Sequence, residues 1–149
     1  MWVFDEVFIR FICAVQGYEA NTAPIRNLAD IVGMLFELER VVGLDFDIDV
    51  QRPPRSNDWK CAISINGKKA GAAINTDLCL FLENWEKERD NVRSYYHSQA
   101  SYQKWKDKTL AYYADTSVEC VTPEELDEDE RKEKRRTYLN SLYGQKEGD

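Results

Sequence analysis

Histidine and the short motifs of the common enzyme classes are scarce in this sequence. His97 is the single histidine, and the surrounding YYHSQAS offers serines but no carboxylate to orient an imidazole. No GxSxG, P-loop, GxGxxG or HExxH motif is present. We therefore interpret His97 as a polar residue at a helix end, and none of the enzyme classes marked by these motifs is indicated.

Cysteine is sparse as well, with four residues scattered singly and no CxxC pair: Cys13, Cys61, Cys79 and Cys120. This spacing, with one histidine to assist, argues against a zinc cluster. Free cysteine is among the most buried residue types, so we expect small core side chains in a reducing cytoplasm, with a disulfide as the alternative. We predict no metal ion and no cofactor.

Long uncharged runs are missing too. No stretch approaches the roughly 18 apolar residues that a membrane-spanning helix needs. The apolar N-terminus MWVFDEVFIRFICAVQG is interrupted by Asp5, Glu6 and Arg10, and no basic region precedes it, so it does not match a signal peptide. We therefore expect a cytoplasmic protein with no membrane partner.

Positive charge is in deficit across the chain. Lysine and arginine number 20 against 27 acidic residues, which gives a net charge of −7. The negative electrostatic potential of such a protein argues against nonspecific binding to nucleic acid or to an anionic membrane. The length of 149 residues fits one domain, and a hydrophobic content of 43% is enough for one core.

Apolar residues recur at helical spacing in two N-terminal segments. Gly17 ends the first pattern. Thr22 and Pro24 begin the second, and Gly43 offers its left-handed C-terminal cap. The first stripe is Phe4, Phe8, Phe11, Ile12 and Val15, and the second is Ile25, Leu28, Val32, Leu35 and Val42.

An antiparallel sheet is predicted next. LDFDIDV, residues 44–50, alternates apolar and acidic residues and so predicts a strand with one face of each kind. Asn66-Gly67 is a strong hairpin signal because both residues tolerate positive φ. This turn would pair residues 59–65 with residues 68–74. We therefore predict a three-stranded sheet whose apolar face is covered by N-terminal and C-terminal helices.

The second half of the sequence is helical in pattern. Asn75 or Thr76 would cap a stretch without glycine or proline up to residue 122, and its length predicts a break near residues 97–101. TPEE, residues 122–125, combines an N-cap threonine with proline at N1 and glutamate at N3, so it predicts the start of a charged final helix.

The fold class is therefore α+β, with a single domain over residues 1–121 followed by a charged helix and short tail over residues 122–149. The final helix has no apolar residue between Leu126 and Tyr138. Such a helix should project from the domain and dock only through its last turn. The apolar residues available there are Tyr138, Leu139, Leu142 and Tyr143.

The first candidate site is the acidic strand face, formed by Asp45, Asp47 and Asp49. Residues two apart on a strand lie about 6.7 Å from one another, too far to share a metal ion without other ligands. One hypothesis is a divalent-metal-dependent nuclease or phosphoryl-transfer enzyme, with Lys60 or Lys69 nearby. The simpler interpretation is a solvated face whose cross-strand partners are these lysines.

The second candidate site is YQKWKDKTLAYY, residues 102–113, which mixes aromatic and basic side chains. Such a mixture can stack single-stranded bases and neutralise phosphates, so single-stranded nucleic-acid binding is a third hypothesis. The aromatic spacing also fits a buried helical stripe with the lysines facing solvent, which is the simpler interpretation. The residues concerned are Tyr102, Lys104, Trp105, Lys106 and Lys108.

The third candidate is the acidic run from Glu119 to Glu130, which is followed by the basic cluster Arg131 to Arg136. A projecting helix of this kind suits docking onto a protein with complementary charge. The sequence thus favours a non-enzymatic acidic interaction module, such as an inhibitor or adaptor of phage or mobile-element type that binds a basic, nucleic-acid-binding surface of another protein. A homodimer is an open alternative. The predicted partner-binding residues are Asp45, Asp47, Asp49, Glu124, Glu125, Asp127, Glu128 and Tyr138.

Overall fold

The computed structural model describes residues 24–144 and has an α+β fold, as the sequence predicts. The helix predicted for residues 4–15, like Cys13, lies outside the described residues. Four helices and one two-stranded antiparallel sheet form the described part. In chain order these are α1 (Leu28–Leu38), β1 (Asp47–Gln51), β2 (Lys60–Ser64), α2 (Ala73–Arg93), α3 (Gln99–Tyr113) and α4 (Glu128–Tyr143).

Helix α1 begins with a capping box. The Asn27 side chain accepts from the backbone N–H of Asp30 at 3.0 Å, and the Asp30 carboxylate accepts from the N–H of Asn27 at 3.3 Å. These bonds satisfy donors that the first helical turn leaves free. The predicted end of this helix at Gly43 is wrong, because α1 ends at Leu38. Gly43 does adopt positive φ, but in the later turn where its carbonyl accepts from the N–H of Ile74 at 3.0 Å.

The antiparallel sheet has two strands, and the predicted third strand over residues 68–74 is absent from the described chain. Strands β1 and β2 are joined by the polar loop RPPRSNDW, residues 52–59, and not by Asn66-Gly67. The Asn66 side chain instead accepts from the N–H of Lys68 at 2.9 Å, which closes a local turn that leads into α2. The alanines that follow favour the helix over a strand.

Asn75 joins three parts of the fold. Its side chain is fully buried, although it was predicted as a helix cap. The amide nitrogen donates to the carbonyls of Asp45 at 2.8 Å and Asn66 at 3.0 Å, and the amide oxygen accepts from the N–H of Asp45 at 3.0 Å. Thr76, the other predicted cap, donates to the carbonyl of Gly67 at 2.7 Å. The first turn of α2 therefore holds the segment before β1 and the turn after β2.

Helices α2 and α3 form an antiparallel pair through aromatic side chains. The predicted break near residues 97–101 is confirmed, because α2 ends at Arg93 and the Ser98 hydroxyl caps α3 by accepting from the N–H of Ser101 at 3.1 Å. His97 lies in this connection, as a polar residue between helices. Its Nδ1 is 3.0 Å from the Glu88 carboxylate, a partner that the neighbouring sequence does not reveal.

A short pairing joins the two halves of the chain. Val41 and Cys120 form an antiparallel bridge, flanked by hydrogen bonds from the N–H of Val42 to the carbonyl of Glu119 and from the N–H of Val121 to the carbonyl of Arg40, both 2.8 Å. The start of the acidic run is therefore fixed beside the segment that leads towards β1.

The predicted start of the last helix at residues 122–125 is wrong. Helix α4 begins at Glu128, and its N-cap is Asp127, which forms a capping box with Glu130. Two carboxylates at the N-terminus complement the helix dipole, which explains why this site replaces the threonine cap. Among the described elements, α4 packs against no other helix or strand. The apolar residues of its last turns, Tyr138, Leu139, Leu142 and Tyr143, are exposed.

The helices do not cover the sheet within residues 24–144. Every residue of β1 and β2 is exposed, so the predicted packing on its apolar face is wrong for helices α1 to α4, while the predicted helix over residues 4–15 lies outside the described residues. Cys61 and Cys120 are exposed free thiols and Cys79 is half-buried, so the prediction of buried cysteines is wrong for the first two. None of the described helices is both long and apolar enough to cross a membrane.

Candidate interaction surface

Strands β1 and β2 form a two-faced structure that we call the ribbon. Alternation along each strand places Ile48 opposite Ile63, and Val50 opposite Cys61, on the same face. These apolar side chains remain open to solvent, with Ile48 66%, Val50 60% and Ile63 46% exposed. Contiguous exposed apolar surface is found at protein-binding, ligand-binding and membrane-binding sites, which makes this face a candidate interaction surface.

Trp59 extends the apolar surface at the end of the ribbon. It directly precedes β2 and is 60% exposed. The guanidinium of Arg52, directly after β1, lies 4.0 Å from the centre of its indole ring. This cation–π contact closes the eight-residue loop from both ends and fixes the position of the ring. Exposed tryptophan is among the residue types that contribute most to protein interfaces.

The opposite face of the ribbon is acidic. Asp47 lies opposite Ser64 and Asp49 lies opposite Ala62, and both carboxylates are exposed. In the described chain neither forms an ion pair with a basic side chain. Lys60 lies on this face as predicted, but it is opposite Gln51 at the end of the ribbon and forms no ion pair with either aspartate.

Asp45 differs from the other two aspartates. It precedes β1, its carboxylate forms an ion pair with Lys69, and its backbone is bound by the Asn75 side chain. Lys69 is thus a partner of Asp45, but not as the predicted cross-strand neighbour, because neither residue lies in a strand. A shallow depression of about 350 Å³ lies beside it, lined by Glu39, Leu44, Asp45, Phe46, Asp47 and Ile48. Within residues 24–144, no three Asp, Glu, His or Cys side chains are grouped to hold a metal ion.

The predicted acidic residues near α4 have two different environments. Glu124 and Glu125 lie in the extended segment before the helix and are exposed. Asp127 and Glu128 are engaged within α4: the first accepts from the N–H of Glu130 at 2.9 Å, and the second pairs with Lys132 at 2.7 Å. The exposed glutamates are therefore the freer charges of this run. Tyr138 is exposed on the same helix.

The aromatic residues of the second candidate site pack against α2. Tyr102 accepts a hydrogen bond from the indole N–H of Trp85 at 2.8 Å, and its ring stacks on Trp105 with centroids 5.8 Å apart. Both are half-buried rather than buried, and Tyr112, which belongs to the same predicted stripe, is 73% exposed. The exposed lysines nearby are Lys104, Lys106 and Lys108, of which Lys106 lies 4.6 Å from the centre of the Tyr102 ring.

An open groove of about 320 Å³ lies between α2 and α3. Phe81 contributes to its wall and stacks on Trp85 with centroids 5.5 Å apart. Tyr113 meets Phe81 edge-on, and its hydroxyl donates to the carbonyl of Asp77 at 3.5 Å. Burial raises the pKa of Tyr113, with the nearby Tyr112 and Asp77 acting in the same direction. Packing between the two helices is the role that these contacts support.

Two parts of the exposed surface were not predicted. The first is Trp59, the first residue of the predicted strand over residues 59–65, whose apolar face was expected to be covered by helices. The second is α1, which exposes apolar side chains on several sides, including Leu28, Met34 and Phe36. The run IVGMLF, residues 31–36, was the available signal, because a helix that is apolar all round needs a covering partner.

Comparisons of the chain with protein-family models, with curated proteins and with solved structures find no match in any of the three.

Proposed function

We propose that this protein is a non-enzymatic interaction module that contacts another protein through the ribbon. The observation that carries the proposal is the exposure of Ile48, Val50, Ile63 and Trp59 on one side of two strands whose other side bears free carboxylates. An interface commonly combines an apolar centre with a polar, charged rim. The ribbon supplies both within a few residues.

Exposure of the apolar face to solvent has a free-energy cost that a binding partner would remove. Each fully buried aliphatic or aromatic side chain contributes roughly 1.5–3 kcal/mol relative to the exposed state, so covering the apolar face of the ribbon favours association. A two-stranded sheet with no covering layer is also marginally stable by itself. A partner that covers this face would therefore stabilise the ribbon as it binds.

The charge of the surface indicates the kind of partner. Asp47 and Asp49 are exposed and have no basic partner in the described chain, and Glu124 and Glu125 add exposed charge elsewhere. Acidic groups at the rim of an interface accelerate association with a basic surface and reject acidic ones. The partner we propose has a basic surface of the type that binds nucleic acid, and the module acts as an inhibitor or adaptor in the cytoplasm. A phage or mobile element is the source type that fits such a module.

The test is capture from native lysate with matched variants. The tagged full chain should retain a stoichiometric protein with a basic surface, and added salt should weaken retention. Ile48→Ser with Val50→Ser should abolish capture, and Asp47→Lys with Asp49→Lys should weaken it at least tenfold. Glu83→Lys with Glu86→Lys makes the same charge change on α2 and should leave capture intact. Absence of a stoichiometric partner, or equal capture by the ribbon variants, would overturn the proposal.

Two alternatives from the sequence stay hypotheses. A metal-dependent nuclease would cleave labelled single- or double-stranded substrates with magnesium or manganese, and Asp47→Asn would abolish the cleavage. Single-stranded nucleic-acid binding would retard labelled RNA in a gel, and Lys104→Glu with Lys106→Glu would remove the shift. The hydrogen bond of Tyr102 with Trp85 of α2, and the stacking of Trp105 on Tyr102, favour a structural role for those rings.

A further inference from the structure

The two edges of the ribbon carry different side chains. In a two-stranded sheet, each strand has one edge whose backbone N–H and C=O groups are not bonded to the other strand, and such an edge is a template for a further strand. Strand β1 has the sequence DIDVQ and β2 has the sequence KCAIS. The two edges therefore differ in charge, and this difference decides which of them can accept a second copy.

We propose that two copies of this chain associate through the outer edge of β2, with which no other strand of residues 24–144 pairs, antiparallel about a two-fold axis at Ala62, to form one four-stranded sheet in the order β1–β2–β2–β1. The interface is isologous, because each copy offers the same strand to the other. This inference concerns self-association and is independent of the partner proposed above.

The β1 edge is unsuited to this pairing. An antiparallel, symmetric pair of β1 strands that uses all five residues would place Asp49 opposite Asp49 at the axis and Ile48 opposite Val50. Like charges directly opposite one another destabilise a strand pair. Charged residues on an edge strand are also a common protection against edge-to-edge association. We therefore assign β1 as the blocked edge of the ribbon.

The β2 edge is self-complementary. A symmetric pair that uses all five residues places Ala62 on the axis, Cys61 opposite Ile63, and Lys60 opposite Ser64. No like charges face each other in this register. A shift by one residue would put the apolar side chains of one copy on the opposite face from those of the other, so the side-chain period selects this class of register.

The resulting sheet continues the apolar face across both copies. Within one copy, Ile48 lies opposite Ile63 and Val50 lies opposite Cys61. The proposed register brings Ile63 of each copy beside Cys61 of the other, which joins the apolar pairs into two uninterrupted rows. The ribbon is then part of a sheet with more than two strands and one hydrophobic face, which is the arrangement that confers independent stability.

Cross-linking tests the register directly. Opposite residues in an antiparallel pair have Cα atoms about 4.5–5.5 Å apart, within the range of a disulfide. In a Cys61→Ser background, Ala62→Cys should form a dimer linked through residue 62 under mild oxidation, with mass spectrometry identifying the linked peptide. Asp49→Cys in the same background places an equally exposed thiol at the centre of β1 and should not cross-link. Absence of the first cross-link, or equal yields from the two variants, would overturn the proposal.

Sedimentation of the uncross-linked full chain provides the second test. The protein should show a concentration-dependent monomer–dimer equilibrium. Ala62→Lys puts two lysines against each other at the axis, while within each copy the new lysine faces Asp49 and supports the ribbon. This variant should be monomeric and folded, with the circular dichroism of the parent protein. A parent protein that stays monomeric, or an Ala62→Lys dimer as strong as the parent, would contradict the inference.

Salt separates self-association from partner binding. Each copy carries a net charge of −7, so two copies repel at long range and added salt should strengthen the dimer. Capture of a basic partner should weaken under the same change. A dimer that dissociates as salt rises would contradict the β2-edge assignment and leave the partner proposal standing.

Discussion

The side-chain amide of Asn75 bonds to both backbone polar groups of Asp45, donating to its carbonyl at 2.8 Å and accepting from its N–H at 3.0 Å. The amide thus imitates one residue of a neighbouring strand. Because Asn75 belongs to the first turn of α2, this pair fixes the direction in which the chain enters β1. Because Asp45 lies two residues before the start of β1, this contact also positions the acidic face of the ribbon.

Replacement of Asn75 by alanine should lower the free energy of unfolding by about 1–3 kcal/mol or more. The variant leaves the Asp45 backbone groups and the Asn66 carbonyl without their partner in a buried place, and each unsatisfied group has a cost of this order. Urea unfolding followed by circular dichroism measures the change. Asn84→Ala, at an exposed position of the same helix, should change stability by less than about 0.5 kcal/mol. Equal effects would contradict the bridging role.

Substitution of two glycines by alanine should change the stability of the protein in opposite directions. Gly33 lies inside α1 with nothing near its missing Cβ, so Gly33→Ala should stabilise the protein by about 0.5–1 kcal/mol. At Gly43, an added Cβ would lie 3.7 Å from the Ile74 side chain, which is an ordinary contact distance. The backbone there has φ +84°, however, and this left-handed conformation is strained for alanine. Gly43→Ala should therefore destabilise it by about 1–2 kcal/mol. Thermal unfolding of both variants checks the two signs, and the same sign at both positions would be inconsistent with the turn at Gly43.

The hydrogen bond between Trp85 and Tyr102 should be measurable by a double-mutant cycle. Trp85→Phe removes the indole donor, and Tyr102→Phe removes the acceptor while keeping the ring stacked on Trp105. The coupling free energy between the two substitutions should be about 0.5–1.5 kcal/mol, as for an ordinary hydrogen bond. Chemical unfolding of the four proteins gives this value. Strictly additive effects would show that α2 and α3 do not share this bond in solution.

The Asp30 carboxylate at the N-terminus of α1 should contribute less to the stability of the protein in acid. The backbone N–H of Arg26, with that of Asn27, holds the pKa of Asp30 below its usual value. A depressed carboxyl pKa stabilises the folded state above the unfolded pKa of about 3.9, and this stabilisation is lost as the pH falls through the lower folded pKa. The stability difference between the parent protein and Asp30→Asn should therefore be constant near neutral pH and shrink below about pH 3.9. A difference that does not change with pH would argue against the charged cap.

Local sequence patterns predicted those parts of the fold that local chemistry determines. The α+β class, the β1 alternation and the break between α2 and α3 are visible in the sequence because each depends on neighbouring residues. The prediction of a third strand was wrong because the hairpin preference of Asn66-Gly67 competed with a buried contact between residues that are distant in sequence. That contact is the bonding of Asn75 to Asp45, and no local pattern reveals it.

The candidate surface was predicted only on its acidic side. The alternation of LDFDIDV indicated exposed carboxylates at Asp47 and Asp49, and both are exposed. The same alternation indicated that Ile48 and Val50 face a core, because an apolar face usually does. Their exposure depends on which elements reach the sheet, and that is a property of the whole tertiary arrangement.

The pairing of Val41 with Cys120 also has a consequence for the order of folding. The ribbon and the α2–α3 pair each join residues that are close in sequence, so forming them closes only short loops. The bridge joins residues 41 and 120, which are far apart in sequence, and closing so long a loop has a larger entropic cost. We therefore expect the folding nucleus to contain the ribbon and the α2–α3 pair. The Val41–Cys120 bridge should form after the folding transition state.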